Sequence, residues 1–175
     1  MNSQEMLDIV DKNDNVIGII GRDDYYAADL KPEGYLRAAD MFLVNDAGEF
    51  WVPKRTSSKK SFPNCLDFSV GGHVSSGEDY FTTILREAEE EINVKLKSKD
   101  VVLIDIQRNA KGYFFNALYI YRTNETPDYN PDDFQSAEWL APKTLLENLD
   151  AGVPAKDNIR FAIERISKSG KLKSL

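Results

Sequence analysis

One stretch constrains this chain more than any other, the segment from Glu78 to Val94. Phe81, Ile84, Leu85, Ala88 and Ile92 recur there at the i, i+3, i+4, i+7 spacing of an amphipathic helix, which predicts a helix within 78–92. At 100° per residue with Glu87 at zero, Glu90 falls near 300° and Glu91 near 40°, an arc of roughly 100°. Glu89 falls near 200°, on the far side, and the apolar residues occupy roughly 60° to 160°. Three carboxylates therefore border the buried face in the last turns of the helix. They repel one another there, and the helix dipole disfavours anions at that end. A divalent cation reverses the penalty. Hard carboxylate oxygens without nitrogen or sulfur donors point to Mg²⁺ or Mn²⁺. For the glutamates taken alone, a solvated acidic face is the competing reading.

Composition narrows what such a site can serve. The chain has 175 residues and a formal net charge of −7, from 22 Lys+Arg and 29 Asp+Glu. That length fits one domain with a sizeable core. Cys65 is the only cysteine and His73 the only histidine, which argues against a disulfide framework and a Cys/His zinc site. No apolar run is long enough to span a membrane, and Met1 to Glu5 lacks a signal h-region, so the expected location is cytoplasmic. An acidic chain is a poor partner for a nucleic-acid polymer. A small anionic substrate would need positive charge between itself and the protein, and a bound cation supplies it.

The remaining pattern reads as a mixed sheet with a few helices, an α/β or α+β sandwich. Strands are expected at 7–10 and 16–20 around an Asx-rich turn, at 36–45 and 49–54 around Asp46-Ala47-Gly48, at 67–70, at 101–108 and 113–122 around 109–112, and at 137–140. Helices are expected at 22–30, at 142–149 with Pro142 in its first turn, and at 157–168. Residues 57–64 and 123–135 read as loops and 169–175 as a frayed tail.

The segment Gly72, Glu78, Arg86, Glu87, Ala88, Glu90, Glu91 and Val94 resembles the Nudix hydrolase box, Gly-x5-Glu-x7-Arg-Glu-U-x-Glu-Glu-x-Gly-U with U apolar. Six fixed residues at roughly 6% usage match a given window by chance on the order of once in ten million. One position departs, with Asn93 where the box has Gly, and Asn is the next-best residue for a left-handed helix end. The resemblance implies a Nudix-type α/β/α sandwich over 35–168, preceded by a β-hairpin extension at 1–34, all within a single domain. It also implies cleavage of a diphosphate linkage in a nucleoside diphosphate derivative by water attack. Glu87, Glu90, Glu91 and the Gly72 carbonyl would bind Mg²⁺ or Mn²⁺. One glutamate or a downstream acid would deprotonate the water, and Glu78 would pair with Arg86. Eight residues of helix span about 12 Å, too far for that pair, so the helix should begin after Glu78 with Asp79 as N-cap, in preference to Ser76. By family analogy a homodimer is possible.

Other residues admit two readings each. The basic run at Lys54, Arg55, Lys59 and Lys60 suits phosphate contact or a solvated loop, and Arg55 is the best phosphate ligand by its bidentate geometry. His73 can touch the metal or a phosphate, or be a plain loop histidine. Tyr113, Phe114 and Phe115 suit base stacking or core packing. Asp128, Asp132 and Asp133 suit a catalytic acid or an acidic turn, and Cys65 reads as an apolar filler. Isopentenyl-diphosphate isomerases share the extension and a Gly-His pair, but use a cysteine where this chain has Gly71, together with further histidines that it lacks. A non-catalytic binding module would usually have lost box glutamates, and all are present here.

Overall fold

Short-range polar contacts set the first hairpin. In the computed structural model, which describes residues 4–27, 33–108 and 113–172, Asp11 Oδ1 accepts from the backbone N–H of Asn13 at 2.8 Å and of Asn15 at 3.0 Å. This is the expected Asx-rich turn. It joins β1 (Met6–Val10) to β2 (Val16–Gly21) in an antiparallel pair, followed by the short helix α1 (Arg22–Ala27). The expected end of that helix at 28–30, the turn at 109–112 and the last residues of the tail, 173–175, lie outside the described residues.

Next come β3 (Leu36–Val44), β4 (Phe50–Arg55), β5 (Val70–His73), α2 (Tyr80–Ile92), β6 (Val101–Arg108), β7 (Phe114–Arg122), β8 (Phe134–Leu140), α3 (Pro142–Asp150) and α4 (Ile159–Ser169). The main sheet has the order β6-β7-β3-β4-β8, with β5 also paired to β3. β3 runs parallel to β7 and antiparallel to β5, so the sheet is mixed. Alternate residues of the central strands face opposite layers. Ala39, Met41, Leu43, Trp51, Ala117 and Tyr119 pack with Tyr80, Ile84, Ala88 and Ile92 of α2. Phe42, Val44, Phe50, Val52, Leu118 and Ile120 pack with Leu145 of α3 and with Ile159, Ile163 and Ile166 of α4. The result is an α/β/α sandwich.

Three expectations need correction. β3 and β4 are not a long hairpin, because their register contains the single pair Val44↔Phe50. Beyond it the strands part, and the segment after Cys65 fills the gap. Asp67 N–H donates to Pro53 O at 2.9 Å, and Ser69 Oγ accepts from Leu43 N–H at 2.8 Å and donates to Trp51 O at 2.5 Å. The strand expected at 67–70 accordingly begins only at Val70 and continues through the glycines to His73. The strand expected at 137–140 begins earlier, at Phe134, because its partner β4 extends to Arg55 and pairs with it. Among the described residues, no helix is long and apolar enough to cross a membrane.

Candidate active site

Helix α2 starts where the Glu78–Arg86 geometry requires. Asp79 is the N-cap, with its carboxylate accepting from Thr82 N–H at 2.7 Å. Ser76 is not the cap. Glu78 therefore lies outside the helix and folds back, accepting from Arg86 Nε and Nη2 at 3.1 Å each and from Thr83 Oγ1 at 2.8 Å. At the other end Asn93 adopts φ 55°, in the left-handed region. Its side-chain amide donates to Asp128 O at 2.7 Å.

The carboxylates divide as the helical wheel orders them. Glu90 is 57% exposed, whereas Glu87 and Glu91 are largely buried against β5. Two adjacent glycines make that approach possible. A Cβ built on Gly72 would lie 2.0 Å from Glu87 Oε1, and Gly71 N–H donates to Glu91 Oε2 at 3.0 Å. Arg86 Nη1 reaches Glu87 at 2.9 Å and Glu90 at 3.2 Å. Burial alone would weaken the Arg86 cation, but Glu78 and Glu87 outweigh it and raise its pKa. Burial also pushes the Glu87 carboxyl up to about 7, against the opposing pull of Arg86. Burial raises Glu91 well above the carboxylate range, and the negative charges of Asp67 and Glu87 add to it. Among the described residues no three ligating side chains converge on one point, because Glu87 and Glu90 turn to Arg86 and Glu91 turns to Gly71. The donor set still suits a hard divalent cation. It is all oxygen, and two of its carboxylates are buried beyond what one arginine neutralises.

The other sequence candidates scatter around this centre. Arg55 Nη1 is paired with Asp67 at 2.7 Å, and its Nε donates to Ser61 O at 3.2 Å. Lys54 is exposed, one residue earlier on β4. His73 alternates with Gly72 and so faces away from the carboxylates. Its Nε2 lies 2.9 Å from Tyr26 Oη, and its ring centroid is 5.6 Å from that of Phe114. Burial, with Arg22 and Lys156 nearby, lowers its pKa to about 3, so the imidazole is neutral. In the late loop Lys59 holds Asp133, while Asp128 and Asp132 contribute backbone carbonyls to Asn93 and Thr56. Three residues near the centre carried no sequence signal. Asp67 and Asp40 sat in apolar strand patterns, and Lys156 followed Pro154 in a connection without a motif.

A family model described as "NUDIX domain" matches residues 34–160. An uncharacterised Nudix hydrolase of Nostoc is 40% identical over 161 residues, covering 91% of this chain and 94% of that protein. The crystal structure of DR0079 from Deinococcus radiodurans superposes with TM-score 0.83 at 38% identity, covering 92% of this chain and 98% of the other. A prenyl-diphosphate phosphatase of Methanosarcina mazei is 28% identical over 174 residues, covering 94% of this chain and 96% of that protein.

Proposed function

The chain belongs to the Nudix hydrolase family, and from that premise we propose that it cleaves the diphosphate linkage of a nucleoside diphosphate derivative, with Mg²⁺ or Mn²⁺ held by Glu87, Glu90, Glu91 and the Gly72 carbonyl. The observation that carries this reading is the pair of half-buried carboxylates, Glu87 and Glu91, pressed against two glycines and short of neutralising charge. Bound there, a divalent ion would polarise a phosphoryl oxygen and acidify a water. The chain's own residues supply the rest. Arg86 and Glu78 fix the start of α2 against the preceding loop, so that the three glutamates keep their arc. Gly72 leaves room for Glu87 at the strand. A box glutamate takes the proton of the attacking water as general base. Residues 1–34 form an extension of this one domain.

Isomerase chemistry is disfavoured by Gly71 at the cysteine position and by the single histidine. A prenyl diphosphate remains a second reading, supported by the relative named as a prenyl-diphosphate phosphatase, whose match includes the extension. The test is phosphate release over a panel of nucleoside diphosphate derivatives and prenyl diphosphates with Mg²⁺ or Mn²⁺, with Glu91→Gln as blank. Isopentenyl diphosphate is followed by NMR for isomerisation. Metal-dependent release, absent in the blank, supports the hydrolase and selects its substrate class. Silence on every compound overturns the reading.

A further inference from the structure

Lys156 lies outside the box and outside the basic run, in the connection between α3 and α4. Its position is set by backbone pairing. Leu66 N–H donates to Pro154 O at 2.8 Å, and Lys156 N–H donates to Leu66 O at 2.9 Å. The Lys156 side chain is 19% exposed, and its ammonium sits 2.8 Å from Oδ1 of Asp67, whose side chain is 4% exposed. Arg55 holds the other oxygen of Asp67 at 2.7 Å. Two residues on, Asn158 donates to Asp40 at 3.1 Å. Burial alone would discharge Lys156, but Asp67, Asp40 and Glu91 outweigh it and keep it cationic.

Geometry brings this connection close to the carboxylates. A Cβ built on Gly71 would lie 2.4 Å from Asp40 Oδ1, while Gly71 N–H donates to Glu91 Oε2 at 3.0 Å, so the Asp40–Asn158 contact sits just across Gly71 from Glu91. Glu91, His73 and Tyr26 all feel the Lys156 charge. Sheet register agrees. His73 pairs with Ala38, and Phe114 and Asn116 occupy the same face of the sheet as Asp40. Only Gly71 and Gly72 separate that face from Glu87 and Glu91. An anionic group arriving at the glutamates meets mostly carboxylates there, and Arg55 spends two of its five N–H donors on Asp67 and Ser61 O. A lysine ammonium has three N–H donors, and Asp67 occupies one. As a compact point charge it suits a phosphate oxygen of any orientation.

We propose that Lys156 is the substrate-phosphate cation of this site: held by Asp67 through one N–H, it donates another to a non-bridging oxygen of a diphosphate lying beside Glu91. This rests on the hydrolase reading for its location and names a further binding residue, with a diphosphate group as the ligand. The contact is assigned to the phosphoryl group that is not attacked, so it acts on ground state and transition state alike.

The test is calorimetric binding of methylenediphosphonate with Mg²⁺ to the whole chain, alongside turnover on the panel. Lys156→Met weakens binding by about 10- to 100-fold, the effect of losing one hydrogen bond to a charged group. KM rises in parallel and kcat stays within about threefold. Lys156→Arg recovers part of the loss. If Lys156→Met fails to fold, the side-chain ε-CH2 signal of Lys156 in the wild type, assigned by its loss in Lys156→Arg, replaces it. That signal moves on saturation with methylenediphosphonate and Mg²⁺. Unchanged binding and KM in Lys156→Met, or an unmoved wild-type signal, overturns the proposal while leaving hydrolysis intact. Lys156-dependent binding with no phosphate release from any compound overturns the hydrolase reading and leaves the subsite standing.

Discussion

Two ionic clusters lie on opposite faces of the same sheet, and they are built on opposite principles. On the α4 face, Arg165 is 5% exposed and saturated. Its guanidinium reaches Asp105, with Nε at 2.8 Å, and donates to Asn116 Oδ1 at 2.8 Å and Asn116 O at 3.1 Å. Asn116 passes the chain on to Asp40 at 2.7 Å. Arg165 and Asp105 pair there, and the buried Asp40 takes amide N–H bonds from Asn116 and Asn158. On the α2 face, Glu78, Glu87 and Glu90 share one Arg86, and Glu91 takes a single backbone N–H from Gly71. A closed network of partners is what a buried charge needs in order to be structural. Carboxylates that outnumber their cations are a local instability that a ligand can relieve. The first cluster holds the fold, and the second is the place for chemistry.

The sharpest way to break this contrast is to neutralise one member of each cluster. Glu91→Gln, and likewise Glu90→Gln, should remove turnover by about 10³-fold or more while the melting temperature stays or rises, because each substitution relieves repulsion. Activity retained in both variants sinks the metal-site assignment. Arg165→Met should do the reverse. It strands Asp105 and Asn116, costs about 3–5 kcal/mol and lowers Tm by roughly 6–20 °C, with kcat/KM per folded molecule unchanged. Thermal unfolding and steady-state rates on the same preparations decide the matter. Loss of activity without loss of stability in Arg165→Met would merge the two clusters into one site.

This asymmetry also explains what the sequence made legible. The box glutamates, the Asp79 cap and the Asn93 helix end are local, set within a few residues along one helix, so the helical period together with the resemblance to the Nudix box was enough to find them. The sandwich followed from alternating strands and amphipathic helices. The Arg165 network and Lys156 are assembled from α4, β6, β7, β3 and two loops, and no spacing rule links 40, 67, 105, 116, 156 and 165. The β3–β4 hairpin misled for the same reason. A turn at 46–48 is local, but the wedge of 66–70 that parts the strands is a tertiary contact. Arg55 was correctly placed at a strand end, yet its partner Asp67 was unreadable from the chain.

A smaller test removes the cation that Glu78, Glu87 and Glu90 share. Arg86→Ala leaves Glu78, Glu87 and Glu90 without their shared partner and should cost about 1–2 kcal/mol, with activity falling as well. Added Mg²⁺ should recover part of the stability, because the ion replaces the lost charge. An unmoved melting point would show that the pairing with Glu78 does not organise the helix.

Titration sharpens the contrast further. Burial raises the Glu87 carboxyl to about 7, and Glu91 is raised in the same direction. Between the unfolded carboxylate pKa near 4.5 and about 7, the metal-free folded state binds more protons than the unfolded one. Its stability is therefore full below pH 4.5 and declines as pH rises through 7. Metal binding needs the ionised forms, so affinity for Mg²⁺ should fall at least about tenfold per pH unit below 7. Melting curves from pH 5 to 8, with and without Mg²⁺, should diverge most at the alkaline end. Parallel curves would mean that the buried glutamates do not carry the metal.

The smallest expected effect is at the helix end. In Asn93→Gly the left-handed backbone becomes easier, since φ is 55°. The same change deletes the amide bond to Asp128 O at 2.7 Å, worth about 0.5–1.5 kcal/mol. The two terms oppose each other, so Tm should move by less than about 3 °C and activity should hold. A tenfold fall in kcat with Tm unmoved would carry a different meaning. Asn130 N–H donates to the carbonyl of Glu91 at 2.8 Å, so this loop already touches the last turn of α2. Such a fall would make the loop a positioning element for Glu91. The α2 cluster would then depend on distant chain segments just as the Arg165 network does, and the difference between the two would lie in charge balance alone.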